Sequence, residues 1–183
     1  MINKPQKRPI PDSYWVSIGK PPTAGLLAGE YPGAKDDTEA RHKVGRLRDA
    51  GVTLFVDLTE AGEYGLKPYT PFVEEINAER GLSAQHLRLS IPDMGIPSLS
   101  RMAHILDAID AAVSEGHTVY VHCYGGIGRT GTVVGCYLVR HGFSGEEALA
   151  QIAQWRAGTP DGGRQSPETF AQRQMVLNWQ ETP

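Results

Sequence analysis

Cysteine is scarce. Cys123 and Cys136 are the only two in 183 residues, too few for a disulfide framework. Positive charge is scarce as well: 18 Lys and Arg face 21 Asp and Glu, for a formal net charge of -3. No global field therefore favours nucleic acid or an anionic membrane, and neither is expected as a partner. No apolar run approaches the roughly 20 residues needed to cross a bilayer, and Met1-Ile2-Asn3-Lys4-Pro5 lacks the apolar stretch of a secretion signal. A reducing cytoplasm is the expected compartment. The histidines His42, His86, His104, His117, His122 and His141 form no ligand-spaced cluster, so no metal or other cofactor is expected. What is present, 40% hydrophobic and 21% charged residues, matches an ordinary globular chain and excludes disorder, a coiled coil and a collagen-like chain. At this length it should build one domain.

Residues 1–12 are basic and hold three prolines, which reads as a flexible N-terminal arm before a domain at 13–183. Apolar runs at Tyr14–Ile18 and Leu26–Ala28, split by Gly19-Lys20-Pro21-Pro22, suggest a small antiparallel entry. Asp36, Asp37 or Thr38 can cap a helix to about Ala50. Strands are expected at Val52–Leu58, Gln85–Ile91 and Thr118–His122. Helices are expected at Thr70–Arg80, Leu99–Ser114, Arg129–His141 and Ser144–Arg156, with a last one started by Ser166-Pro167 and running to Trp179. Strands alternating with helices define an α/β fold with a mainly parallel central sheet flanked by helices.

One junction carries chemistry. In His122-Cys123-Tyr124-Gly125-Gly126-Ile127-Gly128-Arg129-Thr130 an apolar strand gives way to a helix. Three glycines in four positions let successive backbone N–H groups turn inward, and the helix N-terminus adds partial positive charge, so the loop Tyr124, Gly125, Gly126, Ile127 and Gly128 can cradle a tetrahedral oxyanion. A lone cysteine is most often a small buried hydrophobe, and a glycine cluster most often a turn. Their combination with an arginine six residues on is different. Cys123, ringed by donors and near a guanidinium, is expected to be a thiolate at neutral pH. Arg129 offers a planar fork for two phosphate oxygens, and Thr130 can donate its hydroxyl to the sulfur. Such a thiolate can attack phosphorus and be phosphorylated in passing.

This stretch resembles the His-Cys-x5-Arg-Ser/Thr signature of the cysteine-dependent protein phosphatases, dual-specificity branch, and is most similar in wording to its cyclin-dependent-kinase-associated and compact bacterial members. The resemblance spans roughly Val52 to Trp179, strongest at the loop. It implies a protein tyrosine phosphatase-like fold with the loop at the carboxyl edge of the sheet, and phosphate, sulfate or vanadate as occupants of that loop. It also implies that His122 orients the loop, although a purely structural histidine explains it nearly as well.

Hydrolysis needs a group to protonate the leaving oxygen and later to deprotonate water. Asp93, in Ile91-Pro92-Asp93-Met94-Gly95, follows a strand and lies 30 residues before Cys123, which resembles the family's general-acid loop; its alternative is a turn-forming aspartate. Asp57 reads as structural, and Glu60 and Glu63 could meet substrate. In related phosphatases a glutamine from the C-terminal region positions the hydrolytic water, and Gln165 and Gln172 are both candidates. Cys136 lies about 10 Å up the helix from Arg129 and reads as core.

Relatives acting on inositol lipids usually carry lysines inside this loop. Residues 124–128 bring no charge, so the expected substrate is a singly phosphorylated protein or peptide, on tyrosine and also on serine or threonine. Competing readings are a small-molecule or lipid phosphatase, a catalytically silent phosphate-binding module, and a redox enzyme of the rhodanese or arsenate reductase kind. The last does not explain the Asp93 loop and lacks an obvious resolving thiol.

Overall fold

The computed structural model describes residues 7–19 and 25–180. Its order is β1 (Ser13–Val16), β2 (Leu26–Gly29), α1 (Asp37–Asp49), β3 (Val52–Asp57), α2 (Thr70–Arg80), β4 (Gln85–Arg88), α3 (Leu99–Ser114), β5 (Thr118–His122), α4 (Gly128–Arg140), α5 (Gly145–Arg156) and α6 (Phe170–Leu177). The strands form one sheet in the order β1-β2-β5-β3-β4. Only β1 runs antiparallel to its neighbour; the β2–β5, β5–β3 and β3–β4 pairs are parallel.

The two-residue period of the strands sorts the core into two layers. Leu26, Ala28, Leu54, Val56, Val119 and Val121 face the layer filled by α3, α4, α5 and α6, whereas Leu27, Phe55 and Tyr120 face α1 and α2. Helix α4 is buried over nearly its whole length, from Gly128 to Leu138, because other helices pack against it on the face away from the sheet. Ser144 and Glu147 form a capping box on α5, and Asp36 and Ser98 cap α1 and α3.

Two expectations need correction. Ser166-Pro167 does not start the last helix: Thr169 caps α6, with Gln172 as the reciprocal partner of its capping box, and Ser166 instead donates its hydroxyl to the Ile127 carbonyl at 2.7 Å. Strand β4 ends at Arg88 rather than Ile91, after which Leu89 and Ile91 donate to the carbonyls of Asp57 and Leu58 outside the ladder. In the basic arm, residues 1–6 lie outside the described residues, but the inner end is fixed. Ile10 is buried, and Arg8 donates to the carbonyls of Trp155 and Ala157 at 3.0 and 2.8 Å.

Candidate active site

Ligands of open α/β sheets gather beyond the carboxyl ends of the parallel strands, and three neighbours in this sheet each send a loop there. Strand β5 leads into residues 123–127, β3 into the loop holding Glu63, and β4 into the loop holding Asp93. Because β5, β3 and β4 are neighbours, Arg129, Glu63 and Asp93 are brought to the same edge of the sheet.

Residues 123–127 turn from β5 into α4 with no side-chain cap on the helix. Among the described residues, the backbone N–H groups of Tyr124, Gly125, Gly126 and Ile127 donate to no protein acceptor, the condition of an anion-binding concavity. The loop is braced from outside, where Tyr31 N–H donates to the Tyr124 carbonyl at 2.8 Å. Gly126 has φ +69°, and a Cβ there would stand 2.4 Å from the Gly29 carbonyl carbon. Both the backbone angle and the contact with β2 demand glycine.

Cys123 is 3% exposed and a free thiol, as is buried Cys136, whose thiol is pushed up by burial alone. Arg129 is 2% exposed. Its Nη2 and Nη1 lie 2.6 and 2.7 Å from the two carboxylate oxygens of Glu63, Nη1 also donates to the Ile91 carbonyl at 3.1 Å, and Nη2 is 3.0 Å from Asp93 Oδ1. Burial works against this cation, but Glu63, Cys123 and Asp93 outweigh it and raise its pKa. The Glu63 clamp was not legible in the sequence. Glu63 was a candidate to meet substrate; its carboxylate instead aims the guanidinium, and nothing in sequence spacing links residues 63 and 129.

Asp93 sits in a tight turn in which Gly95 N–H donates to the Pro92 carbonyl at 3.0 Å and Met94 has φ +59°. Its side chain is 32% exposed. Oδ1 faces Arg129, while Oδ2 accepts from the Tyr64 hydroxyl at 2.5 Å. That bond and the charge of Asp93 raise the Tyr64 pKa, so the phenol is the donor. Tyr64 also lies 5.6 Å, centroid to centroid, from the ring of Tyr124.

Behind the loop, His122 is fully buried. Its Nδ1 lies 3.2 Å from the Cys123 carbonyl and its Nε2 2.7 Å from the Tyr69 hydroxyl. Burial lowers its pKa to about 4 despite the attraction of Asp57. The imidazole is therefore neutral, and because a carbonyl can only accept, Nδ1 carries the hydrogen and Tyr69 donates to Nε2. Asp57 is buried and accepts from Thr59 N–H and Oγ1, His86 and Arg88. Burial opposes its charge, yet the bonds from His86 and Thr59 and the nearby His122 hold its pKa well below the usual carboxylate range. Saturated with internal donors, it serves as structure.

The glutamines separate. Gln172 is fully buried against the loop: a Cβ on Gly128 would stand 2.9 Å from its Oε1. Its Nε2 donates to the Gly95 carbonyl at 3.1 Å, and Oε1 accepts from Thr169 and Glu168 N–H. Gln165 is exposed and faces Arg173, so it does not reach the loop. Thr130 is also corrected in detail: its hydroxyl is buried without a hydrogen-bond partner among the described residues and makes no bond to the Cys123 sulfur. No described group of three or more His, Cys, Asp or Glu could hold a metal, and no described helix is long and apolar enough to cross a membrane.

Residues 30–143 match the family model described as Tc-R-P, polymorphic toxin system, DSP-PTPase phosphatase. The dual specificity protein phosphatase CDC14AB of Danio rerio is 39% identical over 165 residues, 84% of this chain and 23% of that protein. The phosphatidylglycerophosphatase and protein-tyrosine phosphatase 1 of Rattus norvegicus is 38% identical over 80 residues, 43% of this chain and 42% of that protein. The chain thus belongs to the dual-specificity phosphatase family of the protein tyrosine phosphatase superfamily. It spans only 15% and 23% of the CDC14 proteins of Candida albicans and Danio rerio. The fold agrees. A kinase associated phosphatase with its catalytic-site cysteine replaced by serine superposes with TM-score 0.70 at 20% identity, covering 91% of this chain and 93% of that one. PTPMT1 gives 0.62 at 22% identity, covering 90% and 92%.

Proposed function

We propose that this chain hydrolyses phosphate monoesters on phosphoproteins, on tyrosine and also on serine or threonine, through a phosphocysteine intermediate. One arrangement carries the reading: a buried cysteine at the start of a loop of unpartnered backbone N–H groups, with Arg129 aimed by Glu63 and Asp93 opposite. The phosphoryl group of a bound monoester sits on the loop amides and the Arg129 fork. The Cys123 sulfur forms a bond to phosphorus as the phosphorus–oxygen ester bond breaks, and the leaving oxygen takes the proton of Asp93. Asp93, now a carboxylate, deprotonates a water that attacks phosphorus, releasing phosphate and the thiolate. The flanking Gln172 holds the Asp93 turn against the loop through Gly95.

The uncharged residues 124–128 support a singly phosphorylated substrate. The names of the rat relative and of a PTPMT1 structure in complex with PI(5)P support the lipid alternative. Two buried cysteines that remain free thiols suit a reducing, cytoplasmic setting. The test is metal-free hydrolysis of a phosphotyrosyl peptide, a phosphoseryl peptide and phosphatidylglycerophosphate by wild type and Cys123→Ser. The reading expects peptide turnover to exceed lipid turnover. It also expects Cys123→Ser to lose about 10³-fold or more in rate while still binding vanadate, since the cradle is intact. Faster turnover of the lipid would redirect the substrate class, and residual Cys123→Ser turnover above about 1% would exclude the covalent step.

A further inference from the structure

The two oxygens of Asp93 have different partners, and the difference assigns them different work. Oδ1 lies on Arg129 Nη2 at 3.0 Å, at the cation that a phosphate must occupy. Oδ2 is held by the Tyr64 hydroxyl at 2.5 Å, off the cradle. A dianionic phosphoryl group arriving on the Arg129 fork competes for Nη2 and so displaces Oδ1, but it has no claim on the Tyr64 bond. Asp93 would otherwise be loose at that moment, since its carboxyl group is 32% exposed and its turn passes through Met94 at φ +59°.

Tyr64 is well placed to prevent this. It sits in a short 3₁₀ turn, Glu63–Gly65, whose first residue accepts from Nη2 and Nη1 of Arg129 at 2.6 and 2.7 Å. Its own backbone has φ +51°, unusual for a non-glycine residue, and its ring leans on Tyr124 within the cradle loop. The ring is 70% exposed. Burial therefore does not hold the side chain where it is; its hydrogen bond and its aromatic contact do.

Resting on the phosphatase reading above, we propose that Tyr64 is a positioning residue for the general acid. It anchors Asp93 through Oδ2 after substrate has taken Arg129, leaving Oδ1 as the oxygen that carries the proton to the leaving group. In the forward step, the Oδ1–H bond breaks and its proton goes to the ester oxygen, whose electron pair comes from the breaking phosphorus–oxygen bond. In the second step Oδ1 takes a proton from the attacking water. Throughout, Oδ2 only accepts from the Tyr64 O–H, a bond compatible with both the acid and the carboxylate form of Asp93. The groups facing Asp93 are Arg129 on α4 and Tyr64 on the turn after β3.

The test is Tyr64→Phe, which removes one oxygen from an exposed ring and keeps the contact with Tyr124. Turnover is measured on aryl phosphates of graded leaving-group acidity and on an alkyl phosphate, in wild type, Tyr64→Phe, Asp93→Ala and the double variant. The expected result is a fall in kcat of about 5- to 10-fold for poor leaving groups, the scale of one hydrogen bond. KM and thermal stability should stay unchanged, the loss should fall below about 2-fold for strongly acidic phenols, which leave as anions without a proton, and no further loss should appear in the Asp93→Ala background. An equal loss across the leaving-group series, or a loss that persists without Asp93, overturns the assignment and makes Tyr64 a wall of the site. Absence of hydrolysis by wild type overturns the phosphatase reading, and this assignment with it.

Discussion

Two sets of side chains meet the loop 123–128 from opposite sides, and they are built on different terms. Behind it, His122, Tyr69 and Asp57 are fully or almost fully buried, with the bonds of His122 to Tyr69 and Cys123 and of Asp57 to Thr59 closed inside the protein. In front, Tyr64 is 70% exposed, and Asp93 is held by one phenol and one shared guanidinium. The rear fixes the loop by satisfying every partner, whereas the front keeps charged partners that a phosphate can take over. The proposed reaction needs both, since its cradle must be rigid before binding while its general acid must be released by it.

Breaking the front at its cation should have the largest effect. Arg129→Lys keeps the charge but not the fork that Glu63 aims, so kcat/KM on an aryl phosphate should fall by roughly 10³-fold, equivalent to about 4 kcal/mol of transition-state stabilisation. Steady-state kinetics check this, and near-normal kinetics would reduce Arg129 to a structural cation.

The rear should answer to pH instead. The His122 pKa falls from 6.5 in the unfolded chain to about 4 in the native protein, so above 6.5 neither state binds the proton and stability is full. As pH drops below 6.5, the unfolded chain protonates first, and stability should decline by about 1.4 kcal/mol per pH unit for this one proton until the native ring protonates near 4. Asp57 has a depressed native pKa and adds a loss at lower pH still, as its carboxylate is protonated. Denaturant melts from pH 7.5 to 4.5 measure the slope, and an NMR titration showing His122 protonating above pH 6 would refute its origin.

Glu63→Gln sharpens the comparison at the junction of the two sets. It keeps the shape but removes the charge from a 6% exposed carboxylate that grips Arg129, and should cost about 2 kcal/mol of stability, the scale of hydrogen bonds to a charged group. The loss in kcat/KM should be about 10-fold, read against vanadate affinity. The smallest effect is expected for Tyr69→Phe, which leaves Nε2 of His122 without its donor. Stability should drop by about 1 kcal/mol, with kcat changing less than about 2-fold because the His122 bond to Cys123 remains.

The legible part of this site was the part carried by consecutive residues. Gly126 can be read as a turn glycine from its neighbours alone, and the crossing with Gly29 only adds a second reason for it. Asp93 was legible as a loop acid because proline and glycine flank it. A helix start is legible where one residue dominates, as at Ser144, and not at Ser166, where a better capping pair, Thr169 and Gln172, lies three residues on.

By itself, then, the sequence determined the alternation of strands and helices, the glycine-rich turn that exposes amide groups around Cys123, and the arginine six residues after that cysteine, because these depend on local periodicity and backbone freedom. The tertiary structure alone decided that Glu63 aims Arg129, that Tyr64 holds one oxygen of Asp93, that Tyr69 donates to Nε2 of His122, and that Gln172 rather than Gln165 lies against the loop. Those pairings join residues 29 to 66 positions apart. They exist because the order β5-β3-β4 sets three separate loops side by side, and strand order in a parallel sheet is chosen by how helices cover its two faces, which no short stretch of sequence encodes.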